Sequence, residues 1–197
     1  MTQGTGKTET RTLSSKSRTD SNKSTEVKIL QRGKYYLTPF TLDHIDEVEK
    51  NLSYENRHEL ALLGHLDVRE ALLEMYETSE CYLCRKEGED FLMVGGLWYD
   101  DDQTWPQMFA MFSSQMKDNF HALARGSKMF VNFFDQTHSG TSMTILAEYE
   151  SMLNWAVWLG FEPVGAVDRG NNRYIEFVRC NLNQKNVYDS TSRPVMH

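Results

Sequence analysis

Side chains suited to chemistry occur in short clusters along this chain, and their spacing decides what each cluster can do. Gly4-Thr5-Gly6-Lys7-Thr8 carries the end of a phosphate-binding loop, in which backbone amides and a lysine wrap the phosphates of a nucleotide. That loop needs a further glycine five residues before Gly6 and a strand ahead of it, and position 1 is Met1, so the fragment reads as part of a flexible tail. His58-Glu59 opens like a zinc-binding helix, but Leu62 stands where the second histidine would face the first one turn on. His58 and His65 are therefore expected as surface or capping residues. Cys81 and Cys84 are three apart in a predicted strand, which puts them on opposite faces and unable to hold one metal or one disulfide. Both are expected in the core. Asp100-Asp101-Asp102 could gather a cation, but the run reads as a solvated hairpin tip. No catalytic, cofactor-binding or metal-binding residue is assigned from these clusters.

Composition narrows the function classes. The chain has 197 residues, 40% of them hydrophobic and 12% aromatic, enough for one sizeable core. Net charge is −7 but uneven: residues 1–34 hold eight Lys or Arg against three acids, which leaves 13 bases and 25 acids, about −12, in the remainder. A body that acidic is a poor nucleic-acid binder unless its charge is locally patched. Three cysteines make no disulfide framework in a chain this long, and together with the lack of an export signal they suggest a reducing, cytosolic setting. No apolar run approaches the roughly 18 residues a membrane span requires.

The elements that would position any site follow from periodicity. Residues 1–26 contain twelve Ser or Thr and one large aliphatic, Leu13, too little apolar surface to offset ordering entropy. Ordered structure is expected to begin between Val27 and Tyr35; the domains are placed at 1–34 (a disordered basic tail), 35–182 (the folded domain) and 183–197 (a loose C-terminal tail). Tyr35-Tyr36-Leu37 reads as a strand. A helix opens at Thr41 with Leu42, Ile45, Val48 and Leu52 inward, a second runs from Ser53 to Leu63, and Asp67 caps a third. Cys81–Arg85 and Phe91–Tyr99 form a hairpin, Trp105–Ser113 a third strand, and Met116–Phe134 a long helix. After a polar connection at 135–142 come a strand at Thr144–Ala147 and a helix from Tyr149 whose apolar residues recur at three and four. Gly160 caps that helix, Phe161 starts another strand, and Arg173–Cys180 closes a hairpin across Asp168–Asn172.

From Tyr35 to Asn181 this order resembles the GNAT acyltransferase fold, and the helix ending Leu159-Gly160-Phe161 is similar to that family's penultimate helix. The resemblance implies an α+β domain, a mixed and mostly antiparallel sheet flanked by helices on both faces. Within the superfamily the chain is similar to a small group from T7-like podophages represented by an internal virion protein. The shared features are Glu59–Gly64, Ser79-Glu80-Cys81, the Trp105 strand, the long helix, Leu159 to Val164, and the aromatic final strand.

The family's chemistry requires a glycine-containing phosphate cradle after the third meandering strand, a base to deprotonate the acceptor amine, and often a tyrosine to reprotonate the thiolate. Ser113 to Phe120 contains no glycine and places Asp118 where a diphosphate would sit, Trp105 to Phe112 contains no Glu, and the tyrosine position holds Ala156, with Tyr149 too early in the helix. The resemblance therefore implies a fold that has lost its site: a non-catalytic bacteriophage protein of virion assembly or an internal virion component. Such a protein would bind no cofactor, have other virion proteins as partners, touch nucleic acid weakly through its N-terminal tail, and reside in the host cytoplasm or the virion. The alternative is an acetyl-CoA-dependent N-acetyltransferase with a divergent site. There the pantetheine would lie between Trp105–Ser113 and Thr144–Ala147, and Asp100, Asp101 and Asp102 near the mouth would attract a cationic amine.

Overall fold

The computed structural model describes residues 27–89, 91–101, 103–115 and 120–181. Expectations that fall on 1–26, on 182–197, on Asp102 and on Asp118 lie outside the described residues. The chain runs β1 (Leu30–Arg32), β2 (Tyr35–Pro39), a 3₁₀ turn (Leu42–His44), α1 (Ile45–Asn51), α2 (Tyr54–Leu62), α3 (Val68–Thr78), β3 (Ser79–Lys86) and β4 (Phe91–Trp98). It continues as β5 (Gln107–Phe112), α4 (Phe120–Phe134), β6 (Gly140–Leu146), α5 (Glu150–Trp158), β7 (Glu162–Arg169) and β8 (Asn172–Cys180). The strands form one mixed sheet in the order β1-β2-β3-β4-β5-β6-β8-β7, antiparallel except for β5 beside β6. The α+β class expected from the sequence is the one observed. Among the described residues no helix is long and apolar enough to cross a membrane.

Local chemistry sets several boundaries as expected. The Asp67 carboxylate accepts from the amides of Arg69 at 2.8 Å and Glu70 at 3.3 Å, which fixes the start of α3. Ser53 caps α2 through the Asn56 amide at 3.2 Å. Gly160 ends α5 at φ +91, a conformation that would strain any residue with a Cβ.

Other expectations need correction. Leu30–Arg32, assigned to the tail, is a strand paired with Tyr35–Leu37. As an edge strand it is largely exposed and carries no apolar alternation for the sequence to display. The helix expected from Thr41 begins as a 3₁₀ turn, and Leu42, expected inward, is 54% exposed. Strand β6 starts at Gly140, inside the stretch read as a polar connection. Gly140 and Thr141 are buried, and Trp105 packs so close to Gly140 that a Cβ there would meet the indole at 2.9 Å.

Strand alternation divides the core into two layers. Leu37, Cys84, Met93, Leu97 and Phe112 face α4 and α5, where Phe130, Phe134 and Ala156 meet them. Leu83, Phe91, Val94 and Met111 face the other way, onto Ile45, Val48 and Leu72 of α1 and α3. The Glu47 carboxylate ties α1 to this layer. It accepts from both terminal nitrogens of Arg85 at 2.6 Å and from the Phe91 amide at 3.0 Å.

The feature that positions a site is the break between β5 and β6. They pair at one position, Gln107 with Ser142, where the Ser142 amide donates to the Pro106 carbonyl at 3.0 Å. Beyond that point they diverge. The N-terminus of α2 fills the far end of the gap: Leu52 bridges Ser113, the Ser53 amide donates to the Phe112 carbonyl at 2.9 Å, and the Phe112 amide donates to Asn56 Oδ1 at 2.8 Å. A strand edge stripped of its neighbour needs such partners, because an unmet buried amide costs about 1–3 kcal/mol.

Candidate functional site

A cavity of about 880 Å³ occupies the divergence of β5 and β6 and continues beneath α2. Phe109, Phe112 and Trp155, residues bulky enough to fill the cleft, line its walls instead, and Met108, Ala110 and Met152 add to the apolar lining. An apolar cleft with few polar groups is the usual form of a small-molecule site.

The polar groups come from elements far apart in sequence. Glu59 of α2 lines the cavity. Burial pushes its carboxyl above the ordinary value, and a hydrogen bond with the Asn56 side chain only partly offsets this. Asn56 is itself buried, with Oδ1 held by the Phe112 amide at 2.8 Å and by the Ser53 hydroxyl at 3.0 Å. Its orientation is thus fixed, and it couples the edge of β5 to Glu59. Tyr149 precedes α5, lines the cavity, and shares a 3.2 Å hydrogen bond with His58 Nδ1. Tyr174 of β8 is buried and lines the same space, with the Arg169 guanidinium 5.5 Å from its ring centre.

Burial, and then the charge of Glu59, raise both phenols above their ordinary value. For Tyr149, Glu148 and Glu55 add to the rise; for Tyr174, Arg169 opposes it. Both phenols are therefore protonated donors at neutral pH. The buried Ser113 hydroxyl also lines the cavity and has no hydrogen-bond partner among the described residues, which makes it a ready anchor for a polar ligand.

The structure sorts the clusters singled out from the sequence. Cys84 is buried in the layer under α4 while Cys81 packs on the opposite layer, as their spacing predicted. Burial pushes the Cys84 thiol up to about 12 and the Cys81 thiol up to about 11, so neither is a nucleophile at neutral pH. His58 is exposed and stacked on Tyr54, and His65 lies 3.7 Å from Glu74 at the edge of the cavity. Asp100 and Asp101, expected at the mouth, do not line the cavity. They sit in the β4–β5 turn, at the end where β5 and β6 still pair.

Ala156 is buried in the cavity wall, and Tyr149, set aside as too early in the helix, is the α5-side phenol that reaches the cleft. Glu59 was missed. Its one sequence signal is the Asn56-x-x-Glu59 spacing, which places the two side chains on one helix face. Nothing in the sequence says that this face would meet a gap in the sheet 50 residues later.

No family model matches the chain, and no curated protein matches it in sequence. Solved structures do match in fold. A GNAT-family acetyltransferase from Bacillus anthracis superposes with a TM-score of 0.60 at 10% identity, over 77% of this chain and 98% of that one. Ribosomal-protein-S5-alanine acetyltransferase from Vibrio fischeri gives 0.59 at 12% identity, over 81% and 100%. Spermidine N-acetyltransferase from Vibrio cholerae, solved with CoA and spermine, gives 0.61 at 6% identity, over 76% and 97%. At these identities the likeness establishes the GNAT fold and nothing finer.

Proposed function

We propose that the cleft between β5 and β6 binds an acyl thioester of CoA and passes the acyl group to an amine, with Glu59 as the base. The observation that carries this reading is a half-buried carboxylate of raised pKa set beside two protonated phenols in an open apolar cleft. A carboxylate moved upward toward neutrality is suited to accept the proton of an attacking amine, a task worth about 10²–10⁴ in rate. The nitrogen would form a bond to the acyl carbon as the carbon–sulfur bond breaks. The amine proton would pass to Glu59, and the departing sulfur would receive a hydrogen bond from Tyr149 and a proton from solvent. The missing glutamate of β5 is thus supplied from α2. The fold neighbours whose names state an acetyltransferase activity add support at the level of the fold.

The second reading is a non-catalytic component of a bacteriophage virion, with other virion proteins as partners. Two observations favour it. Ser113 to Phe120 has no glycine to let backbone amides approach a diphosphate. The end of β5 that would face the donor is already occupied by Ser53 and Asn56.

Thermal unfolding with and without acetyl-CoA separates the two. A ligand that binds only the folded chain at a hundredfold excess over its Kd stabilises by about 2.7 kcal/mol, or roughly 5–10 °C for a domain of this size. A shift of that order, lost on narrowing the cleft with Ala110→Leu, supports the acyltransferase reading. No shift at millimolar acetyl-CoA leaves the virion-component reading.

A further inference from the structure

We infer that the face of α4 turned away from the cleft is a binding site for single-stranded nucleic acid. This rests on features that acyl transfer does not use. His121, Arg125 and Lys128 recur at four and three along α4, so they share one helix face. With Arg32 of β1 and the rings of Tyr35 and Trp158 they line a groove of about 550 Å³.

The local charge is opposite to that of the body as a whole. Among the described residues neither Arg32, Arg125 nor Lys128 pairs with a carboxylate. Among the described residues the groove lining holds no acid, and two acids of the β3–β4 turn are engaged elsewhere: Glu87 is held by Lys28 at 3.2 Å and by Gln31 at 3.0 Å, and Glu89 is bonded to Lys86. An acidic protein that concentrates cations without carboxylate partners among the described residues in one groove has the local patch that nucleic-acid binding requires.

The aromatic groups select the kind of polyanion. The Lys128 ammonium lies 4.2 Å from the centre of the Trp158 ring, and that ring is 47% exposed. A base stacking on the indole would displace the ammonium onto the adjacent phosphate, so both groups gain a partner at once. Unpaired bases bring accessible π-faces, whereas a duplex hides them in its stack. Cations beside an aromatic platform therefore fit a single strand. In sequence, Lys7, Arg11, Lys16, Arg18 and Lys23 precede β1, whose Arg32 lines the groove.

The test is fluorescence anisotropy of the full chain with a labelled oligothymidylate of about 15 nucleotides across a salt series. Each phosphate neutralised on a single strand contributes about 0.7 to the slope of log K against log salt. Arg125→Ala combined with Lys128→Ala should lower that slope by about 1.4, and Lys50→Ala on α1 should leave it unchanged. Trp158→Ala should weaken binding by about fivefold or more with the slope retained, because stacking is not an ionic contact. Unchanged melting of each variant confirms that folding is not what changed. Three results would overturn the inference. One is no binding at low salt; another is a double variant that keeps the wild-type slope, which assigns binding to residues 1–26. The third is an indifferent Trp158→Ala together with equal affinity for poly-glutamate, which marks a docking surface for acidic protein.

Discussion

Asn56 joins the scaffold to the candidate site, so changing it should produce two separable effects. Its Oδ1 accepts from the Phe112 amide on the unpaired edge of β5, and its side chain also bonds to Glu59. Asn56→Ala removes both contacts. The Phe112 amide is then buried without a partner, which costs about 1–3 kcal/mol. For a domain of this size that is a fall in melting temperature of roughly 4–8 °C around the middle of the range. Loss of the hydrogen bond also removes the influence that opposes burial at Glu59, so the carboxyl should move further above its ordinary value. Asn56→Asp separates the two contacts. An Asp oxygen can still accept from Phe112, so most of the stability should return in acid. The donor to Glu59 is replaced by a second carboxylate, so Glu59 should rise more than in Asn56→Ala. Denaturant titration reads the first effect, and a carboxyl-carbon NMR titration of Glu59 reads the second. If Asn56→Ala melts like wild type and Glu59 titrates unchanged, the coupling of strand edge to carboxylate is wrong.

Three further outcomes are expected. Glu59 has a raised folded pKa, so the fold binds its proton more tightly than the unfolded chain does, and wild-type stability declines as pH rises from the ordinary value of 4.5 through the folded one. Glu59→Gln should therefore be more stable than wild type above that window and lose its slope, while any acyl transfer falls about 10²–10⁴-fold; a less stable variant at pH 7 would contradict this. Burial pushes Glu47 upward, but the Arg85 hydrogen bonds and charge and the Phe91 amide outweigh it and hold its pKa below 4.5. Its stabilisation is present above that value and lost as pH falls through the folded one. Glu47→Gln should cost about 2–3 kcal/mol at pH 7 in denaturant unfolding, less than a fully buried pair because the carboxylate side chain keeps 26% of its surface. Gly96→Ala would set a Cβ 2.0 Å from the Glu80 carbonyl oxygen and 3.1 Å from Cys81 Cα. Strands β3 and β4 would have to part, so a loss near 3 kcal/mol is expected, and a neutral melting curve would refute that packing.

Much of the scaffold was legible because its signals are local. Apolar runs bounded by turn residues marked β3, β4 and β5, alternation marked β8, three-and-four spacing marked α5, and Asp67 and Gly160 marked helix ends. The two cysteines could be placed on opposite faces from their spacing alone. The misses were also local in origin. An exposed edge strand such as β1 has no alternation to read, and Gly140–Ser142 looks like a loop until Trp105 is known to cover it. Asp100 and Asp101 lie in the exposed β4–β5 turn, as the solvated-tip reading expected, and only their placement near the cleft mouth under the acetyltransferase alternative fails.

By itself the sequence determined most element types, their order from β2 onward and the absence of glycine after β5, since each depends on residues within a few positions of one another; the α+β class came from the resemblance of that order to a known fold. Only the tertiary structure decided where the candidate site lies. His58 and Tyr149 meet across 91 residues, and Glu59 joins Tyr174 from the far end of the sheet. The divergence of β5 from β6 creates the space they share. The raised pKa of Glu59 is set by burial, a property of the packed environment that no spacing along the chain encodes. The basic groove has the same origin, because packing brings Arg32 and Trp158 to one groove beside α4 although 126 positions separate them in the chain.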